Sequence, residues 1–288
     1  MKKLRIRVKN LIYQFEKLEL DKIEKWEKQA FHLDYENSSY RQKEIASIVK
    51  DAMPHFALTE DEFNEFISTK DLGEANREAW SRISSARKDK KGDYGELLLY
   101  LILEIFFPAK KFVTKVRLRS SKKEQIKGFD CAHFTIENDE VYLWLGEAKF
   151  HQSFSTALTD SLNSIIEHCQ PKYLKNELSI LKSNIEINKA FEDYEKIENI
   201  FLGKSLDKIK FKIPILLTYD SSNISKFVDI NDKFKETFEK EFRSKFESIE
   251  NKILDLESQF ELLFLIMPFQ SVKEIKDRIE VIEGVFND

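Results

Sequence analysis

Glycine is scarce in this chain: seven residues in 288, none of them in a G-x-x-x-x-G-K-[ST] loop. Without such a loop there is no Gly-rich cradle for a nucleotide's phosphates, so any ATP-driven step must come from a partner. Cysteine is scarcer still. Cys131 and Cys169 fall inside expected structural elements, and the basic start Met1-Lys2-Lys3-Leu4-Arg5-Ile6-Arg7 has no apolar stretch behind it to make a signal peptide. A cytoplasmic chain with reduced, buried thiols is the simpler reading. Five scattered histidines and two cysteines offer no zinc spacing. The longest apolar runs, 97–107 and 262–269, are too short or too interrupted to span a bilayer, so no membrane partner is expected. There is no internal repeat and no low-complexity linker.

What is present is a globular composition, 42% hydrophobic and 34% charged, in a chain long enough to bury a full core. The net charge of −4 argues nothing for nucleic acid, but its distribution does. Lys110, Lys111, Lys115, Arg117, Arg119, Lys122, Lys123 and Lys127 stand against a single acid, Glu124, and Arg87, Lys88, Lys90 and Lys91 form a second cluster upstream. A duplex carries dense phosphate charge, so an acidic protein that binds it must gather cations locally. Taken alone, such runs read as solvated loops. Flanking candidate metal ligands, they support Lys115, Arg117, Arg119, Lys122, Lys123 and Lys127 as nucleic-acid-binding residues.

Helices are expected at about 38–52, capped by Ser38 or Ser39, and at 59–85, where Thr59-Glu60-Asp61-Glu62 has capping-box spacing. Gly92–Phe107 reads as an intensely apolar helix that Pro108 stops. Phe112–Arg119 alternates like a half-exposed strand. Asp130–Ile136 and Val141–Ala148 form a hairpin through 137–140. Helices follow at Thr156–Cys169 and Lys172–Phe201, then a buried strand at Lys212–Tyr219. A long amphipathic helix at Asn231–Leu256, a strand at Phe260–Phe269 and a helix at Ser271–Val285 complete an α/β layer architecture.

The hairpin carries the chemistry. Val141-Tyr142-Leu143-Trp144-Leu145-Gly146-Glu147-Ala148-Lys149 is an apolar strand ending in Glu-x-Lys, and Asp130 begins its neighbour. In a strand, Glu147 and Lys149 leave the same face and Ala148 the other. Phosphodiester hydrolysis needs an activated water and neutralised phosphate charge, which Mg²⁺ (or Mn²⁺) held by a few carboxylates supplies. Asp130, Glu147 and Glu96, in the first turn of the apolar helix, are the metal ligands expected; Lys149 orients water or phosphate. Both Glu147 and Lys149 are expected to be exposed enough that truncation costs little stability. Glu-x-Lys alone is weak evidence, because it recurs at Glu250 and Glu274, where it decorates helix surfaces. His133 should face away from Asp130 and pack, as should Tyr142 and Trp144. His151 reads as a loop histidine just past the motif strand, and His168 and Gln170 end the helix that follows it.

The order Glu96, Asp130, Glu147, Lys149 resembles the PD-(D/E)xK nuclease superfamily. More narrowly, the chain resembles the nuclease subunit of the Hachiman anti-phage system and the related Abp phage-resistance protein. That likeness rests on Asp51–Leu58, Gly92–Leu97, Gly128-Phe129-Asp130, Leu145–Phe150, Leu216–Asp220 and the strand into Met267-Pro268. It covers roughly residues 40 to 285 and says nothing of the first ~35. It implies a mixed central sheet flanked by helices, with a restriction-endonuclease-like core at 86–288 and a mainly helical N-terminal extension at 1–85. It also implies a metal-dependent DNase that works with a superfamily 2 helicase in defence. The alternative reading is a non-catalytic adaptor that binds DNA or the helicase through its charged helices.

Overall fold

The long apolar runs near the C-terminus and the hairpin upstream belong to one mixed sheet of seven strands. The computed structural model describes residues 1–16, 26–84, 93–107, 109–114, 129–138, 140–183, 195, 199, 209–253 and 260–287. Strands β1 (Ile12–Gln14), β2 (Trp26–Leu33), β5 (Lys110–Thr114), β6 (Cys131–Glu137), β7 (Glu140–Phe150), β8 (Ile209–Asp220) and β9 (Glu261–Phe269) assemble in the order β1-β2-β9-β8-β7-β6-β5. β2, β9, β8 and β7 are parallel neighbours; β1 and the β6–β5 pair are antiparallel at the two sides. Strands inside a parallel sheet are covered on both faces, which is why Ile213–Tyr219 and Leu262–Phe269 are buried at every position.

Helix α5 (Asp93–Phe106) covers one face of β7. The approach is close because Gly95 and Gly146 have no side chains: a Cβ on Gly95 would lie 2.9 Å from Phe150 Cβ, and one on Gly146 would lie 2.8 Å from Leu99 Cδ2. α2 (Lys43–Ala57), α4 (Leu72–Ser84) and α9 (Val272–Asn287) pack together, with α2 also against α5. α6 (Phe154–His168) packs on β7 and β8, followed by α7 (Pro171–Ser183). α8 (Asp232–Ile253) places Phe234, Phe238, Phe242 and Phe246 on one fully buried stripe, with Phe15 meeting Phe242 edge-on at 5.0 Å. Each such ring contributes about 2 kcal/mol by burial, and a change such as Phe238→Ala would cost about 3–5 kcal/mol.

The expected α/β architecture, a mixed sheet flanked by helices with a helical N-terminal region, is the architecture observed. Several details differ. The N-terminal region holds α1 (Lys2–Lys9) as well as α2 and α4, but it also sends β1 and β2 into the main sheet. Ser38 and Ser39 do not cap α2; Asn37 and Ser38 take positive φ (49° and 61°) in a tight turn between β3 (Tyr35–Glu36) and β4 (Ser39–Tyr40), as a two-residue hairpin loop requires. The single helix expected over 59–85 is two, α3 (Glu60–Thr69) and α4. Lys70 leaves helical geometry and the Asp71 side chain accepts from the Glu74 N–H, capping α4. Thr59 does form its capping box with Glu62. β5 ends at Thr114, and the expected stretch to Arg119 lies outside the described residues, as does most of 184–201. No described helix is long and apolar enough to cross a membrane.

Candidate active site

Register decides which side chains share a face. Cys131 pairs with Gly146 across β6 and β7, and the Asp130 N–H donates to the Gly146 carbonyl at 2.8 Å. Asp130 lies one residue before β6, and its carboxylate reaches the backbone between Glu147 and Lys149, where Oδ2 accepts the Ala148 N–H at 2.8 Å. Because α5 lies on the side of Gly146, Ala148 and Phe150, Glu147 and Lys149 project from the opposite side, where α6 runs. His133, three residues past Asp130, faces α5 and packs 5.9 Å from the Tyr100 ring, fully buried.

Glu147 is only 2% exposed, contrary to the expectation of an accessible carboxylate. Its Oε1 lies 2.6 Å from Lys149 Nζ, and its Oε2 lies 3.6 Å from His168 Nδ1 at the end of α6. The second distance is too long for a hydrogen bond, and Oε2 has no hydrogen-bond partner among the described residues. Burial alone would raise the Glu147 carboxyl. His168 and Lys149 outweigh it, so its pKa lies below the ordinary carboxylate value and the group is ionised at neutral pH. Asp130, also buried, accepts the Ala148 N–H at 2.8 Å through Oδ2.

Glu96 is buried in the first turn of α5. The Cys131 thiol reports where the acids gather: burial pushes it well above its ordinary pKa, and Asp130, Glu96 and Glu147 push it further, in that order. All three carboxylates therefore act on the same buried thiol. Among the described residues, no three His, Cys, Asp or Glu side chains are grouped so as to hold a metal ion between them. The arrangement fits a hard divalent cation held by Asp130 and Glu147 with water or phosphate oxygens, since Mg²⁺ uses one or two carboxylates and keeps several waters. The buried, unbonded Glu147 Oε2 is the observation behind that fit.

His168 is placed closer to this centre than its position at a helix end suggested. Its ring stacks on Tyr173 (4.8 Å between centroids) and meets Phe129 edge-on at 5.2 Å. Neither aromatic was singled out from sequence. The signal was their proximity, Phe129 beside Asp130 and Tyr173 just past His168. Gln170 accepts the Tyr173 and Leu174 N–H groups with its backbone carbonyl, starting α7. His151 lies 3.7 Å from Asp160; burial first, then Lys276 and Lys149, lower its pKa. Trp144 packs, donating its indole N–H to Thr135 Oγ1 at 3.0 Å. The proposed phosphate contacts Lys115, Arg117, Arg119, Lys122, Lys123 and Lys127 all lie outside the described residues.

A family model described as HamA matches residues 9–282. A search of curated proteins finds no match.

Proposed function

The chain belongs to the HamA family, consistent with a role in Hachiman anti-phage defence, and we propose that within it this protein is a metal-dependent deoxyribonuclease. The observation that carries the proposal is the Asp130 carboxylate held at the Ala148 N–H, between Glu147 and Lys149, with Lys149 against Glu147. Two buried carboxylates at one end of a hairpin, beside an ammonium, suit the charge requirements of phosphodiester hydrolysis.

Asp130 and Glu147 would hold the cation, Mg²⁺ or Mn²⁺. When bound, it offsets phosphate charge and lowers the pKa of a coordinated water. Lys149 can donate to a phosphate oxygen or hold the attacking water, and its charge opposes the negative charge that builds up as the P–O bond breaks. His168 and Lys149 keep the Glu147 carboxylate ionised. Glu96, in the first turn of α5, is a third carboxyl that acts on Cys131 beside Asp130. The Ala148 N–H fixes Asp130, so the two carboxylates keep their relative position while the substrate changes.

The decisive experiment is degradation of plasmid DNA by the purified protein together with its helicase partner and ATP, in Mg²⁺, in EDTA, and with Glu147→Gln. Mg²⁺-dependent cleavage that the variant loses at least a hundredfold is expected. Wild-type-like cleavage by the variant, or no cleavage by the wild type even with its partner, would overturn the assignment in favour of a non-catalytic adaptor.

The partner in this reading is a superfamily 2 helicase that controls the nuclease. A free, unspecific nuclease endangers its host, and the chain has no phosphate-binding loop of its own. The lone chain is therefore expected to be nearly inactive, with activity released by helicase, ATP and a DNA end. Vigorous digestion by the lone chain, unchanged by the helicase, would remove this control model and leave the catalytic one standing.

A further inference from the structure

Among the described residues, most basic side chains with a defined partner are paired with acids. Lys210 pairs with Glu140, Lys212 with Glu27, Arg243 with Glu239 and Lys273 with Asp277. Two lysines on α8 are held differently. Lys245 Nζ lies over the rings of Phe154 (4.8 Å) and Tyr219 (5.1 Å), and Lys252 Nζ donates to Thr159 Oγ1 at 2.8 Å. Ring faces and a hydroxyl orient an ammonium without cancelling its charge. Both lysines line a cavity of about 490 Å³, with the hydroxyls of Ser153, Ser155 and Ser248 around it. Asp220 is the acid in its wall, and its carboxylate is already engaged. Oδ1 accepts the Val272 N–H at 2.7 Å, and Oδ2 accepts Gln152 Nε2 at 3.3 Å.

Position links this cavity to the candidate active site. It opens at the C-terminal ends of β7 and β8, where Asp220 N–H donates to the Gln152 carbonyl at 2.9 Å. Ligands of parallel sheets collect at that end. Gln152, in the cavity wall, is three residues past Lys149 in sequence.

We propose that Lys245 and Lys252, held over the Phe154 and Tyr219 rings and at the Thr159 hydroxyl, form a subsite for the DNA phosphodiester backbone at the C-terminal ends of β7 and β8. The proposal rests on the nuclease reading for its substrate and on the cavity itself for its chemistry. It places substrate contacts on α8, some 120 residues of sequence away from the basic run at 110–127.

The test is equilibrium binding of a labelled duplex to the full chain in EDTA, with anisotropy followed across salt concentrations. Each phosphate contact contributes about 0.9 to the slope of log K against log salt on duplex DNA. Lys245→Gln with Lys252→Gln should flatten the slope by about 1.8. Lys245→Arg with Lys252→Arg should retain it, since the charge stays, and Lys210→Gln at the far end of β8 should leave it unchanged. Retention by the arginine pair also shows that a flattened slope is lost charge and not a damaged fold. An unchanged slope in the glutamine pair would overturn the subsite, as would a wild type that binds no DNA. DNA binding with the predicted slope change but no Mg²⁺-dependent cleavage even with the helicase and ATP would keep the subsite and discard the nuclease reading.

Discussion

Asp130 accepts a hydrogen bond from the backbone N–H of Ala148, the residue that separates Glu147 from Lys149. A carboxylate proposed to bind metal thus also fixes the strand that carries the other two site residues. Function and strand geometry are coupled through one 2.8 Å contact.

That coupling separates two variants. Asp130→Ala removes an acceptor from a buried N–H and should destabilise the protein by roughly 1.5–3 kcal/mol. Asp130→Asn can still accept through its amide oxygen and should recover most of that stability. Both should lose cleavage. Denaturant midpoints and Mg²⁺-dependent nicking measured side by side would check this; an active Asp130→Asn enzyme would remove Asp130 from the metal site.

Lys149 and Glu147 should behave asymmetrically on unfolding. Lys149→Ala leaves a buried carboxylate with His168 alone, and because Lys149 is 20% exposed the cost should be about 1–3 kcal/mol, below that of a fully buried pair. Glu147→Gln leaves an ammonium that water can reach and should cost less. The folded Glu147 carboxyl is held below its unfolded value, so its contribution is present above about pH 4.3 and lost as pH falls through the folded pKa. Urea titrations from pH 7 to pH 3 should therefore be shallower for Glu147→Gln.

His133 predicts an acid lability of its own. Burial, with help from Lys111, lowers its pKa to about 3, and neither ring nitrogen has a hydrogen-bond partner among the described residues. The unfolded chain takes up this proton first, near pH 6.5, so stability is full above that pH and falls towards pH 3. By pH 5 the loss should be about 2 kcal/mol. His133→Phe should abolish this component, which thermal melts at pH 7.5 and pH 5 would reveal as a smaller drop in Tm than in the wild type.

The two glycines under α5 should resist substitution. A Cβ on Gly146 would stand 2.6 Å from Cys131 Sγ and 2.8 Å from Leu99 Cδ2, so Gly146→Ala must displace these buried side chains. A loss of about 1–3 kcal/mol is expected, with a fall in cleavage rate measured well below the new Tm, because Cys131 and Gly146 adjoin Asp130 and Glu147 in the chain. Wild-type turnover in a destabilised Gly146→Ala protein would show that the site tolerates that shift.

Much of the site was legible because strand parity is arithmetic. Alternation in Val141–Lys149 assigns Glu147 and Lys149 to one face, and the hairpin brings Asp130 back to the Ala148 N–H between them. The burial of Glu147 was not legible, since it depends on α6 and α7 delivering His168 and Tyr173 from another part of the chain. β2 was missed for a similar reason. Trp26–Leu33 lacks clean alternation, and its partner β9 begins more than 230 residues later. The break at Lys70 was hidden by continuous helix-forming residues on both sides, although Asp71 with Gly73 held the capping signal.

The pairing of β2 with β9 also sets a schedule. A ribosome completes the hairpin that carries Asp130 and Glu147 by Phe150, yet β2 waits for Phe269 before its parallel neighbour exists. Until then β2 has only the three residues of β1 on one side, and β8 offers an open edge on the other. Unpaired edges invite pairing with other chains, so prematurely released fragments should be the aggregation-prone and protease-sensitive form of this protein.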